Sequence, residues 1–327
     1  AMSMLTQYVR DLNREDLVVV SPDVGRVKLA KKFAEKVGAE LAILNKERPA
    51  HQVAEIAYVI GDVKGRNAVI VDDMIDTAGT LRAAAETVMD EGAKSVIAVT
   101  PWFGYSRQDK KSTPREPISA RLVARMLEAA GADRVLTMDL HAGQLQGFFQ
   151  KPVDHMTAMF ILTQYFKDLH LDDLVVVSPD AGRVKLAKKF AEKVGAELAI
   201  LNKERPAQQV AEIAYVIGDV KDKTAVIVDD LIDTAGTLRA AAETVIDEGA
   251  KRVFACATHG VFSGSAWENL ASSPFEEVVV TDTIPMRPGA PENVRVLSCA
   301  DLLTDSIRRI FTDDSVSEVF GGENQLF

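Results

Sequence analysis

Three acids, two threonines and a run of small residues stand together in Val228-Asp229-Asp230-Leu231-Ile232-Asp233-Thr234-Ala235-Gly236-Thr237. An apolar run, Ala225-Val226-Ile227-Val228, leads into this stretch, and a helical pattern from about Thr237 to Glu248, closed by Gly249, comes after it. Small residues at such a place let backbone N–H groups come close to a phosphate. The start of the following helix adds oriented donors and positive potential. Thr234 and Thr237 add hydroxyl donors. Two adjacent carboxylates would repel that phosphate unless they faced another part of the ligand. Ionised carboxylates only accept hydrogen bonds, so the vicinal hydroxyls of a sugar suit them. The motif therefore predicts a sugar phosphate, its phosphate on Asp233, Thr234, Ala235, Gly236 and Thr237 and its hydroxyls toward Asp229 and Asp230. A plain strand end with Asp233 or Thr234 capping the helix would explain a cap. It would not explain the paired acids and the small-residue loop together.

The elements around this motif are strands interleaved with helices. Leu174-Val175-Val176-Val177 is a short apolar run ended by Ser178-Pro179-Asp180, which reads as a buried strand. Val184 to Val194 has helical spacing, with Leu186, Ala187, Phe190 and Val194 on one face. Further strands are expected at Ala196–Leu201, Thr224–Val228 and Val253–Ala257. This alternation predicts an α/β fold, a mostly parallel sheet covered by helices on both faces. Ligands of such sheets sit at the carboxyl ends of the strands.

The whole pattern occurs twice. Residues 16–98 align with residues 173–255 at one constant offset, and only nine positions differ, among them Val24/Ala181, Gly65/Asp222, Met74/Leu231 and Ile97/Phe254. A unit of this length is a domain half rather than a solenoid repeat. Two tandem domains are expected, residues 1–152 and 153–327, related by a pseudo-twofold. Near-identity of two copies in different surroundings points to one half having been copied over the other by engineering or recombination, with a very recent natural duplication as the alternative. The first copy carries its own loop, Asp72 to Thr80, with Asp23, Lys46 and Arg48, and is a candidate second sugar-phosphate site.

The chain has 327 residues, 47% hydrophobic and 26% charged, with a formal net charge of −10. That is the composition of an ordinary globular protein of about two domains. Its acidity argues against nucleic acid as a partner, since backbone-phosphate affinity rests on clustered Lys and Arg. The two cysteines, Cys256 and Cys299, cannot make a disulfide framework. No apolar run is long enough to span a bilayer, and no signal peptide is read at the start. A cytoplasmic protein with no membrane role is expected.

Several segments together resemble the ribose-phosphate pyrophosphokinase (PRPP synthetase) family. The sugar-phosphate motif is shared with phosphoribosyltransferases. Trp102-Phe103-Gly104-Tyr105-Ser106-Arg107-Gln108-Asp109-Lys110-Lys111 is similar to the family's ATP-contacting flag. Thr137-Met138-Asp139-Leu140-His141-Ala142-Gly143-Gln144-Leu145-Gln146-Gly147-Phe148-Phe149 is close to a family signature, and Val176–Asp180 and Thr258–Gly264 also match. The resemblance covers about residues 99–320. It implies two tandem domains of the phosphoribosyltransferase type. It also implies transfer of the diphosphoryl group of ATP to C1 of ribose 5-phosphate, with Mg²⁺ required, in a homo-oligomer. By the same resemblance Arg107 and Gln108 contact ATP, His141 and Asp180 are metal-associated, and Lys203 and Arg205 are the catalytic cations. Asp229, Asp230 and Asp233 to Thr237 hold ribose 5-phosphate. Taken singly, Lys203 and Arg205 read rather as a solvated turn between strand and helix, His141 rather as a core histidine bonded to backbone, and Arg107 also as part of a surface charge run.

The family's Phe-Ser-Asp-Gly-Glu type segment, which lines the adenine pocket, is absent. Asn45-Lys46-Glu47-Arg48-Pro49 stands roughly in its place. This absence opens a second reading, a duplicated-domain scaffold that binds sugar phosphate without transfer. A third, a nucleobase phosphoribosyltransferase, fits the tandem layout and the flag less well.

Overall fold

The computed structural model of the chain describes residues 17–50, 53–71, 79–207, 210–312 and 315–316. Its contacts divide into two compact units, one of Ala1–Met156 with Ala300–Glu323, the other built on Thr157–Cys299. The sequence places its boundary four residues earlier, after residue 152.

The first unit runs β1 (Leu17–Ser21), α1 (Val27–Val37), β2 (Glu40–Ala50), β3 (Val53–Ile60), β4 (Asn67–Val71), α2 (Gly79–Asp90), β5 (Ser95–Thr100), α3 (Ser119–Ala129), β6 (Arg134–Met138) and β7 (Val153–Met156). Its sheet has the order β3-β2-β1-β4-β5-β6-β7, parallel throughout except for the antiparallel pair β2–β3. The runs Leu17–Ser21 and Val96–Thr100 are buried along their whole length, as parallel strands covered on both faces must be.

The second unit runs α4 (Met159–Asp168), β8 (Leu174–Ser178), α5 (Val184–Val194), β9 (Glu197–Ala207), β10 (Val210–Ile217), β11 (Thr224–Ile232), α6 (Gly236–Asp247), β12 (Arg252–Gly260), α7 (Ala266–Ala271), β13 (Phe275–Thr281) and β14 (Val294–Leu297). The sheet order, β10-β9-β8-β11-β12-β13-β14, repeats that of the first unit strand for strand. Register repeats too: Val18 pairs with Ala68, and Val175 pairs with Ala225. The last helix, α8 (Ala300–Thr312), packs on α1 of the first unit. No described helix is long and apolar enough to cross a membrane.

Helix α5 falls on Val184–Val194 as the spacing predicts, and Gly195 ends it with a left-handed φ of 71°. Two expectations change. The strand expected at Ala196–Leu201 runs on to Ala207 and turns back as β10, so Asn202–Pro206 belongs to an antiparallel two-stranded arm. The outward face of this edge strand carries large apolar residues, Tyr215 48% exposed and Ile217 51%, beside inward Val216, so no polar alternation betrays it in the sequence. The strand expected at Thr224–Val228 extends to Ile232, because β12 keeps pairing with it as far as Ile232↔Gly260. The paired acids are therefore strand residues.

Candidate active site

Asp229 and Asp230 close the carboxyl end of β11, and the chain then turns through Asp233-Thr234-Ala235 into α6. Ala235 makes the turn with φ 59°, left-handed for a residue with a Cβ, and is buried. It provides no side-chain cap for the helix. The cap position of α6 thus falls on Ala235, one residue beyond Thr234.

The turn is held from one side by the chain beyond β12. The carbonyl of Ile232 accepts N–H groups from Val261 at 2.9 Å and Phe262 at 3.1 Å, and that of Asp233 accepts from Ser263 at 3.1 Å. The Ser263 hydroxyl donates to the Asp233 carboxylate. On α7, Asn269 Nδ2 donates to the Thr234 carbonyl at 2.8 Å. Phe262 anchors this support, its ring 4.6 Å from that of Trp267 and its carbonyl bonded by Arg287 at 2.8 Å. A Cβ on Gly260 would lie 2.4 Å from the Phe262 ring, so only glycine fits there. With Asp233 and Ala235 held, Thr234, Gly236 and Thr237 face solvent. A Cβ on Gly236 would meet nothing nearer than 3.8 Å. Packing within the protein does not demand glycine at that position.

The two acids are balanced by a residue that sequence reasoning missed. Arg183 Nε lies 3.2 Å from Asp229 Oδ1, and its Nη2 lies 2.8 Å from Asp230 Oδ2. The Asp230 amide also donates to Asp229 Oδ1 at 2.8 Å. Burial and the neighbouring Asp230 charge push the Asp229 carboxyl well above the usual carboxylate range, and Arg183 pulls it back. The Asp229 side chain keeps 26% of its surface exposed, so it remains open to a ligand. Arg183 lies just past β8, the sheet neighbour of β11, which brings it to the acids. The available sequence signal was an arginine just beyond the end of the adjacent strand.

Asp180 also lies just past β8. Its Oδ1 accepts the amides of Gly182 at 2.8 Å and Arg183 at 3.2 Å, capping a short 3₁₀ turn and fixing the start of the Arg183 backbone. Lys203 and Arg205 lie on β9, with Lys203 opposite Ile213 of β10. Their backbone is thus strand and not a strand-to-helix turn. The first-copy loop falls almost wholly on residues 72–78, outside the described residues.

In the first unit Arg107 and Gln108 are exposed, on a turn in which the Gln108 amide donates to the Tyr105 carbonyl at 2.8 Å. His141 is half-buried, three residues beyond β6. Gln144 Nε2 donates to buried Asp109, tying the His141 segment to the flag. Among the described residues no group of three or more His, Cys, Asp or Glu is placed to hold a metal ion. His141 and Asp180 each offer a single donor group, too little to hold a divalent cation without oxygens supplied by its ligand.

Residues 1–120 match the phosphoribosyl transferase domain family, and residues 202–321 match the phosphoribosyl synthetase-associated domain family. The chain is 47% identical over 300 residues to a ribose-phosphate pyrophosphokinase of Caldanaerobacter subterraneus subsp. tengcongensis, covering 90% of this chain and 94% of that protein. It is 51% identical over 234 residues to one from Clostridium acetobutylicum, covering 71% and 73%. The crystal structure of phosphoribosylpyrophosphate synthetase from Mycobacterium smegmatis superimposes with a TM-score of 0.82 at 37% identity, over 91% of this chain and 100% of that one.

Proposed function

Since the chain belongs to the ribose-phosphate pyrophosphokinase family, we propose that it transfers the diphosphoryl group of ATP to the C1 hydroxyl of ribose 5-phosphate, giving PRPP and AMP. The observation that carries the reading is the solvent-facing edge of the Asp233–Thr237 turn, held from the other side and with an unobstructed glycine, Gly236, at the start of α6. There the amides that open α6 and the hydroxyls of Thr234 and Thr237 bind the 5-phosphate. Asp229 and Asp230 accept hydrogen bonds from the ribose hydroxyls, while Arg183 offsets their charge against the nearby phosphate.

The C1 oxygen attacks the β-phosphorus, the bond from that phosphorus to the α-phosphate oxygen breaks, and AMP leaves with that oxygen. The C1 hydroxyl proton passes to solvent. Chemistry of this kind is mostly positioning and neutralisation of charge. Lys203 and Arg205, on the β9–β10 arm, stabilise the charge on the transferring group. Arg107 and Gln108 hold ATP, a guanidinium being well shaped for phosphate oxygens. His141 and Asp180 would each offer a donor group to Mg²⁺, which would supply further charge neutralisation when bound.

The same reading takes the N-terminal half as a near-copy of the C-terminal half. Its support is the nine-position difference over residues 16–98 and the identical strand order.

The test is an assay with ATP, Mg²⁺ and ribose 5-phosphate in which AMP and PRPP are both measured. Equal amounts of the two products, lost in Lys203→Ala, are expected. Tight ribose 5-phosphate binding with no product from the unaltered chain would favour the scaffold instead.

A further inference from the structure

A row of three polar side chains crosses the sheet of the first unit. Thr100 on β5 pairs with Thr137 on β6, and Thr137 pairs with His155 on β7, so all three share one face. They are 1%, 0% and 4% exposed. The second unit builds the same row from Ala257, Val280 and Val296, as the pairs Cys256↔Val279 and Val280↔Val296 fix. An identical strand order is thus reached with an apolar row, and the fold does not require the polar one.

The role of the row in the first unit is visible at His155. Its Nε2 accepts the backbone N–H of Leu140 at 2.8 Å, in a buried setting. An imidazole nitrogen that accepts a hydrogen bond carries no proton, so the ring is neutral with its proton on Nδ1. One residue earlier, the Asp139 amide donates to the Met156 carbonyl at 2.8 Å. Asp139 itself is held at φ 32°, a sparsely populated backbone region for a residue with a Cβ. Two consecutive amides are therefore fastened to β7, one by a main-chain carbonyl and one by His155, and the next residue is His141.

We propose that His155, as the Nδ1-protonated neutral tautomer, is a positioning residue that fixes the backbone from which His141 projects toward Mg²⁺-bound ATP. The proposal rests on the reading of His141 as a metal partner. It concerns an acceptor at one place, and so separates two replacements. His155→Gln keeps an oxygen able to reach the Leu140 amide; His155→Leu keeps bulk and loses the acceptor.

The test uses the full chain labelled with ¹⁵N-histidine. The His155 spectrum is expected to show a bare Nε2 and a protonated Nδ1. The His141 resonances should move in His155→Leu and stay near their original positions in His155→Gln. In kinetics, His155→Leu should raise KM for Mg-ATP about tenfold or more with a much smaller change in kcat, the scale seen when an outer partner of a ligating histidine is removed. His155→Gln should restore KM to within about twofold. A proton found on Nε2, or Leu and Gln variants that cannot be told apart, overturns the proposal. If the Leu variant fails to fold, the tautomer and the Gln variant decide. His141→Ala run in parallel separates the two ideas. Unchanged metal dependence there sinks the reading of His141, while the spectra still judge the hold of His155 on its segment.

Discussion

The two units begin from one sequence and end with different equipment. Residues 16–98 and 173–255 build the same sheet order, and unlike segments adjoin the end of each copy. After β12 the second unit places Phe262, Ser263 and Asn269 against the Asp233–Thr237 turn. At the same offset the first unit has Tyr105, Ser106 and Ser112, in and just beyond the flag. The Asp233–Thr237 turn thus owes its support to a segment that the repeat does not carry.

Drift between the copies is also local. Five of the nine differences (Gly65/Asp222, Arg66/Lys223, Asn67/Thr224, Ser95/Arg252 and Ile97/Phe254) sit at the amino ends of two neighbouring strands. In the second unit Arg252 lies over the Phe254 ring and pairs with Glu276, Phe254 meets Phe166 edge-on, and a cavity of about 640 Å³ opens beside Tyr165. In the first, Ser95 simply donates to Asn67 at 2.9 Å. The copies diverge where their neighbours diverge.

The largest break in this comparison is expected at the acids. Arg183→Met leaves two partly buried carboxylates without their cation and should cost about 3 kcal/mol of stability near neutral pH, read as a shift in the urea midpoint. Asp229 binds its proton more readily in the folded chain, so its protonated form favours folding in acid. That contribution is lost as pH rises from the unfolded carboxylate value through the raised folded one. Without Arg183 the window widens upward, and the penalty should be larger at pH 8 than at pH 5. An equal penalty at both would refute the assignment.

Next comes the loop. Gly236→Ala should leave the melting temperature unchanged and weaken ribose 5-phosphate binding by about 1.5–3 kcal/mol, the scale of a charge-assisted hydrogen bond lost to a phosphate. Gly79→Ala, at the start of α2, sharpens the contrast. If support by Phe262 and Ser263 matters, calorimetry finds one site per chain and no effect of Gly79→Ala. Two sites, each abolished by its own alanine, would show the first copy to be self-sufficient.

Smaller is Phe254→Ile, which installs the residue of the first copy and should cost about 1 kcal/mol in lost ring contact and burial. Smallest is Tyr165→Phe. Burial and the Glu277 carboxylate, whose Oε2 accepts the phenol hydrogen at 2.5 Å, push the phenol up to about 12. The stability that the neutral phenol contributes is present below about pH 10, the ordinary tyrosine value, and is lost as pH rises toward 12. Thermal melts of the variant should lack that alkaline loss.

Much of this was legible in the residues. Apolar runs such as Leu174–Val177 and the spacing of Val184–Val194 led to β8 and α5, because buried strands and amphipathic helices announce themselves by period. The sugar-phosphate turn was legible because glycine, threonine and paired acids are each unusual beside an apolar run. Strand β10 was not, since its exposed face carries Tyr215 and Ile217, as apolar as inward Val216. Arg183 was not, since its partners lie 46 and 47 positions away and only the β8–β11 pairing brings them together. His155 was invisible for the same reason: its value lies in one amide, 15 residues away in the chain.

Two near-identical stretches on one chain also set a hazard for the nascent polypeptide. Strands β1 and β8 share the sequence Leu-Val-Val-Val-Ser, and each is the natural neighbour of a strand that also exists in duplicate. A strand emerging from the ribosome therefore meets two chemically equivalent docking edges. Exchange between halves, or between two chains, is the characteristic failure of such tandem repeats. The unlike tails beyond Ala98 and Ala255, and the few positions at which the copies differ, tell the polypeptide which partner is its own.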